Sequence, residues 1–210
     1  MKALDQTIYL ASKSPRRREL LRQIGVQFEL LLLRDAAPRG PDVTEIVLPD
    51  EKPHDYVARI TVEKVEFAAK TMTMRHLPLR PILAADTTVV IDGCILGKPA
   101  DAQEATAMLQ QLSGRTHQVL TSIALWHEQS NRPRMWQQTH VSEVDFDTLT
   151  PEAIQAYCQS AEPYDKAGAY GIQGPAAMFI REIRGSQSGI MGLPLFETAQ
   201  LLRLAGLKLP

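Results

Sequence analysis

Residues Tyr9–Gly25 read "YLASKSPRRRELLRQIG", and this stretch decides the fold. The apolar "IYLAS" before and within it predicts a short buried strand, and Ser-Pro-Arg then starts a helix, with Ser14 as N-cap and Pro15 in the first turn. Leu20, Leu21 and Ile24 supply the core-facing stripe, and Gly25 suits the helix stop. A strand that runs directly into a helix places the three arginines Arg16, Arg17 and Arg18 at a helix N-terminus. There the unpaired backbone N–H groups and the positive end of the dipole favour an anion. Ser12 and Ser14 could donate hydroxyls to the same oxygens, and arginine grips phosphate through two parallel hydrogen bonds. A capped helix with a solvated basic face fits the same residues, and Arg18 is the arginine best suited to that plainer role.

Working outward, "VQFELLLL" (26–33) reads as a second strand. The proline- and glycine-rich segment from Asp35 to Pro53 reads as a long rim or lid loop. Apolar spacing predicts a helix over Tyr56–Lys70, leaving Glu63 and Lys64 on or beside a site. "PILAADTTVVIDGCILGKP" gives a strand ending at Asp86, a continuation, and a hairpin at Asp92-Gly93. A helix over Ala102–Gln111 with Asp101 as cap follows, then two pairing strands in "HQVLTSIALWH" and "THVSEVDFDTL". Thr150-Pro151 starts a helix through Ser160. The glycine-rich "DKAGAYGIQG" leads into a last strand and a closing helix in "GLPLFETAQLLRLAG". These alternations predict an α/β protein built on a central mixed sheet.

The totals narrow the function. The chain has 210 residues, 44% hydrophobic and 22% charged, with net charge −1, and that composition fits one globular domain. No apolar run reaches membrane-spanning length, no signal-type segment opens the chain, and the cytoplasm is the expected compartment. Near-neutral charge gives no reason to bind nucleic acid, so any polyanion it takes is small. Cys94 and Cys158, far apart and without histidines at ligand spacing, support neither a disulfide nor a zinc site and read as packing residues. His117 reads as structural.

No GxxxxGK[ST] is present, and Gly168, Gly171 and Gly174 do not form a dinucleotide fingerprint. What remains is a scatter of polar residues at strand ends and turns: Asp86, Thr87, Lys98, Asp165, Lys166 and Gln173. Asp86 could cap a turn, bind a divalent ion or activate a water. Lys98 is a surface lysine or a phosphate ligand, and Lys166 beside Asp165 reads most simply as a local ion pair. Gln173 offers a donor and an acceptor, suited to a base edge or to bridging backbone groups.

The ordered segments "LASKSPRRRELL", "AADTTVV", "ILGKPADAQEATAMLQQLSGRTHQVLT", "DKAGAYGIQG" and "GLPL" closely resemble the Maf family of nucleoside triphosphate pyrophosphatases. Arg16, Thr87 and Gln173 resemble its dTTP/UTP branch rather than its 7-methyl-GTP branch. The resemblance implies a central mixed, bent sheet flanked by helices and two lobes within a single domain spanning 1–210, as in inosine-triphosphatase-like folds, with a nucleotide cleft between the lobes. It implies hydrolysis between the α and β phosphates with Mg2+ or Mn2+, a homodimer, a house-cleaning role in nucleotide pools, and a link to septum formation. Asp86 would be the acidic catalytic residue, as general base or metal ligand. Ser12, Arg16, Arg17, Lys64, Lys98, Asp165 and Lys166 would surround the triphosphate, while Thr87 and Gln173 would read a pyrimidine edge beside Arg16. A nucleotide-binding regulator of division and a purine-directed pyrophosphatase are the alternative readings. Three departures stand out. The loop between Phe28 and Tyr56 is long and lacks a clear acidic pair, leaving Asp35, Glu45 and Glu51 as candidates for a second carboxylate. Gln187 stands where the family usually has Tyr, and Lys13 fills a variable position.

Overall fold

The computed structural model describes residues 6–34, 40–129 and 132–209. Its centre is a mixed seven-stranded sheet in the order β2-β1-β3-β5-β6-β7, with β4 paired to β3. The strands are β1 Ile8–Leu10, β2 Phe28–Leu30, β3 Ile82–Ile91, β4 Cys94–Leu96, β5 Thr116–Gln129, β6 Arg132–Phe146 and β7 Ile180–Arg184. The described helices are α1 Pro15–Gln23, α2 Pro53–Met74, α3 Ala102–Leu112, α4 Pro151–Cys158, α5 Gln187–Ile190 and α6 Leu195–Leu204. β1 runs parallel to β2 and β3, and the remaining pairings are antiparallel.

The expected start signals hold. Ser14 Oγ accepts the Arg17 N–H at the head of α1, Asp101 caps α3 through the Glu104 N–H, and Thr150 caps α4 through the Ala153 N–H. Gly25, at φ +71°, ends α1 in a conformation that favours glycine. Helix α2 extends past both expected ends, from Pro53 to Met74. Three expectations are corrected. β2 covers only Phe28–Leu30, because it is the outermost strand and, beyond it, Leu32 faces solvent rather than a neighbour. Cys94 is exposed at the hairpin exit while Cys158 is buried, so only the latter packs. Asp86 does not end a strand: β3 runs uninterrupted through it.

β3 is apolar throughout its first half because helices cover both faces. Leu83 and Ala85 pack with Leu20 and Leu21 of α1 and Leu201 and Leu202 of α6. Ile82 and Ala84 pack on the opposite face with Val65, Ala68 and Met72 of α2. A further core beyond residue 88 joins Val89 and Ile91 to Leu109 of α3, Ile154 of α4, Phe146 and Tyr170. One edge of β3 is fully paired to β5 from Ile82 to Val90. The other edge pairs with β1 only at Ile82 and Leu83, and with β4 only from Val89 onward. The stretch between is an open notch in the sheet, and Asp86 and Thr87 lie in it.

Candidate active site

Successive strand residues point to opposite faces, so the notch presents Asp86 to the α2 side and Thr87 to the α1 side. The contacts follow that alternation. Lys64, on the buried stripe of α2 one turn past Ile60, sets its Nζ 2.6 Å from Asp86 Oδ1 and 2.5 Å from Glu45 Oε1. A buried-stripe lysine needs its ammonium paired, and two carboxylates do this. Asp86 and Lys64 are largely enclosed, at 11% and 15% side-chain exposure, whereas Glu45 is half open at 46%. Burial pushes the Glu45 carboxyl up, but the charge and hydrogen bond of Lys64, with Lys98 and Arg17 farther off, outweigh it and hold the group below the usual range.

On the other face Arg17 makes three bonds: Nε to Gly192 O at 2.7 Å, and its two terminal nitrogens to Ser12 Oγ and Thr87 Oγ1, each at 3.2 Å. Thr87 Oγ1 lies 2.9 Å from Thr121 Oγ1, and the Thr121 hydroxyl donates to Gly189 O at 2.7 Å. Burial lowers the Arg17 pKa, opposed by Asp86 and aided by Arg16. Arginine keeps its charge regardless. Gly192 sits at φ +110°, and a Cβ there would lie 3.4 Å from both Arg17 Nε and Thr87 Oγ1. Those are ordinary contact distances, so it is the positive φ that favours glycine here.

The remaining sequence candidates form a rim. Arg16 faces Asp165 at 3.6 Å, and Lys166 Nζ bonds Asp165 Oδ1 at 2.5 Å and Glu162 O at 2.7 Å. The Asp165–Lys166 pair is therefore the local ion pair expected, with Arg16 drawn to it. Lys98 is exposed, close enough to Glu45 to lower its carboxyl. Gln173 is exposed, and among the described residues no hydrogen bond joins it to Arg16 or Thr87. Arg18 is half-buried, with its Nε enclosed and lacking a hydrogen-bond partner, so it is not simply solvated. Glu63 turns away from the site to pair with Arg59. His117 is buried among Phe146 and Tyr170, its Nε2 2.7 Å from the Tyr170 hydroxyl, a structural position as expected. Gln187 is the exposed first residue of α5.

Of the three carboxylate candidates, Glu45 reaches Asp86's partner, Glu51 is held by Arg59 instead, and Asp35 lies outside the described residues. Glu162 and Arg59 are among the residues that escaped sequence reasoning. Glu162 packs its carboxylate where a Cβ at Gly174 would fall, 1.9 Å from Oε1, and burial, countered by Lys166, raises its pKa. Arg59 grips Glu51 with Nε and a terminal nitrogen, at 2.6 and 2.8 Å, and donates to Ile46 O at 2.9 Å. Glu162 stands three residues before Asp165 and Arg59 one turn before Glu63, yet nothing in local pattern marks either. Among the described residues no cluster of three or more His, Cys, Asp or Glu could hold a metal, and no helix is long and apolar enough to cross a membrane.

The fold and site define an α/β protein whose sheet notch sets Arg17 on one face against two carboxylates and a lysine on the other. Residues 7–205 match the Maf-like protein family, and the chain belongs to the Maf family. It is 55% identical over 208 residues, 98% of each chain, to a dTTP/UTP pyrophosphatase of Aromatoleum aromaticum. It is 54% identical to one of Nitrosomonas europaea, over 95% of each chain, and 51% identical to one of Bordetella avium, over 97% of each.

Proposed function

We propose that this chain is a dTTP/UTP pyrophosphatase, cleaving the α–β phosphoanhydride to give the nucleoside monophosphate and pyrophosphate. The observation that carries the reading is the notch, where Asp86 and Thr87 are adjacent in sequence but serve opposite faces. Full-length similarity to enzymes of that activity supports it. A triphosphate laid across the notch would meet Arg17 and Ser12 on one side and Lys64 on the other, with Arg16, Lys98 and Lys166 along its length. Asp86 takes a proton from the attacking water as its oxygen bonds to phosphorus. The bridging P–O bond breaks and its electron pair leaves with pyrophosphate. Fixed cations neutralise charge on the leaving group, so positioning and electrostatics carry the rate and no covalent nucleophile is needed.

Where Asp86 serves as a ligand instead of a base, it and Glu45 would hold a divalent cation. Both present hard oxygen donors and converge on one position, now bridged by the Lys64 ammonium, and such donors suit Mg2+ or Mn2+. When bound, the ion would supply charge neutralisation at the phosphates. Asp165 sets Arg16 and Lys166, and Arg16, Thr87 and Gln173 would select the pyrimidine. Two lobes, a homodimer, a cytoplasmic setting and nucleotide-pool house-cleaning complete the reading.

The test is pyrophosphate release from dTTP, UTP, CTP, 7-methyl-GTP, ITP and ATP with magnesium or manganese, by wild type and Asp86→Asn. Selective turnover of dTTP and UTP, lost in the variant, supports the reading. Preference for 7-methyl-GTP or ITP overturns the base assignment, and absence of turnover overturns the activity and favours a nucleotide-binding regulator.

A further inference from the structure

One ionisable pair away from the carboxylates has no part in that chemistry. His140 on β6 and Glu197 on α6 meet at 2.6 Å, Nδ1 to Oε1, with side-chain exposures of 24% and 11%. Enclosing such a pair gains little stability over apolar residues of the same volume, and Glu197 Oε2 is buried without a partner. The other face of the imidazole shows what it holds. The Ser186 N–H donates to His140 Nε2 at 3.2 Å and is shared with Ser142 Oγ at 3.0 Å. A ring nitrogen that accepts carries no proton, so the ring proton sits on Nδ1 and is donated to Glu197.

Ser186 caps α5, its Oγ accepting the Gly189 N–H at 2.9 Å. The ring also lies against the helix, 3.5 Å from where a Cβ on Gly189 would stand. From α5 onward two carbonyls reach the cleft. Gly189 O accepts from Thr121, which bonds Thr87, and Gly192 O accepts Arg17 Nε. The segment from Ser186 to Gly192 is short: Ile190 and Met191 seat its far end against two cores, while its first residue is held through the Ser186 N–H by His140 and Ser142.

We propose that His140 and Glu197 are a positioning pair, locking Ser186 and α5 so that Gly189 and Gly192 aim Thr87 and Arg17 at the phosphates. This rests on the proposed function for what Arg17 grips. Neither residue touches substrate, and the effect reaches the cleft only through Arg17 and Thr87.

The experiment uses the full chain carrying His140→Leu together with Glu197→Leu. The paired apolar replacement avoids leaving a buried charge and should hold the melting temperature near wild type. Affinity for tripolyphosphate in magnesium buffer is measured by calorimetry, and kcat and KM are measured with dTTP. Misaiming a binding group by a fraction of an ångström predicts a loss of roughly 10-fold in tripolyphosphate affinity and a matching rise in KM. The same pair of changes made on Arg17→Ala should cost little more, because sites acting through one group are not additive. His140→Gln with Glu197→Leu restores, in the glutamine amide oxygen, an acceptor for the Ser186 N–H and should recover most of the affinity. If the leucine pair melts early, His140→Met with Glu197→Met, which likewise offers that N–H no oxygen or nitrogen acceptor, replaces it as the test. Unchanged affinity and KM, a full additional loss on Arg17→Ala, or no recovery by the glutamine overturns the proposal. Wild type that binds tripolyphosphate but leaves dTTP and UTP intact sinks the activity while the affinity data still decide the pair. Wild type that fails to bind tripolyphosphate sinks the pair.

Discussion

Lys64 and Asp86 meet at 2.6 Å because the buried stripe of α2 and the inward face of β3 share one core, so an ammonium and a carboxylate are fixed by packing before any substrate arrives. Their partner Glu45 sits on a segment with no regular structure.

That asymmetry gives the first prediction. Lys64→Met removes the cation that both carboxylates share and leaves two like charges facing each other. Activity with dTTP falls by about 10²-fold or more, as expected for loss of one charge-stabilising group. The melting temperature falls too, since a largely buried carboxylate left without its partner costs about 1–3 kcal/mol. Pyrophosphate release and thermal unfolding check both. Retained activity would remove Lys64 from the site.

Arg59 anchors the chain next to Glu45. Its fork holds Glu51 and the Ile46 carbonyl, one residue from Glu45, and the Glu51 carboxyl is lowered to about 2, chiefly by its hydrogen bond to Arg59. Arg59→Ala should raise the manganese concentration needed for half-maximal activity by roughly 10-fold, the scale of loss when a group supporting a metal ligand is removed. Arg59→Lys should not restore it, because an ammonium lacks the fork. An unchanged manganese dependence would count against Glu45 as a ligand.

Gly192→Ala tests the backbone turn that presents the carbonyl to Arg17. The backbone sits at φ +110°, where a side chain is strained, and the new methyl meets Arg17 and Thr87 at 3.4 Å. KM for dTTP should rise by roughly 10-fold as Arg17 shifts, and a KM within error of wild type would show that the segment yields freely.

Buried His117 predicts a pH dependence of stability. Burial lowers its pKa from 6.5 to about 4, so below pH 6.5 the unfolded chain binds a proton that the native chain does not. Stability is therefore full above pH 6.5 and declines as pH falls toward 4, by about 3 kcal/mol from this group. Urea unfolding at a series of pH values measures the slope, and His117→Gln should flatten it. An equal slope in the variant would assign the loss to other groups.

The sheet, helix starts and hairpin were legible because caps, prolines and Asp-Gly carry local information: Ser14, Asp101, Thr150 and Asp92-Gly93 act over three or four residues. Asp86 was legible as a site residue but not as a mid-strand one, since a continuous apolar run hides the two-residue period that separates it from Thr87. The choice among Asp35, Glu45 and Glu51 was not legible, because a segment without periodicity gives no direction to its side chains. Arg59, Glu162, His140 and Glu197 were missed because their partners are set by tertiary packing. The His140–Glu197 contact spans 57 residues, and nothing local to either marks it.

The bond from Arg17 to the Gly192 carbonyl crosses 175 positions of the chain. A growing polypeptide therefore carries its arginine cluster from the start of synthesis but cannot fix it until the region near Gly192 has emerged and docked. The arginine near one end of the sequence is thus held in place by backbone from near the other, so regions at both ends of the chain must be folded for Arg17 to be fixed.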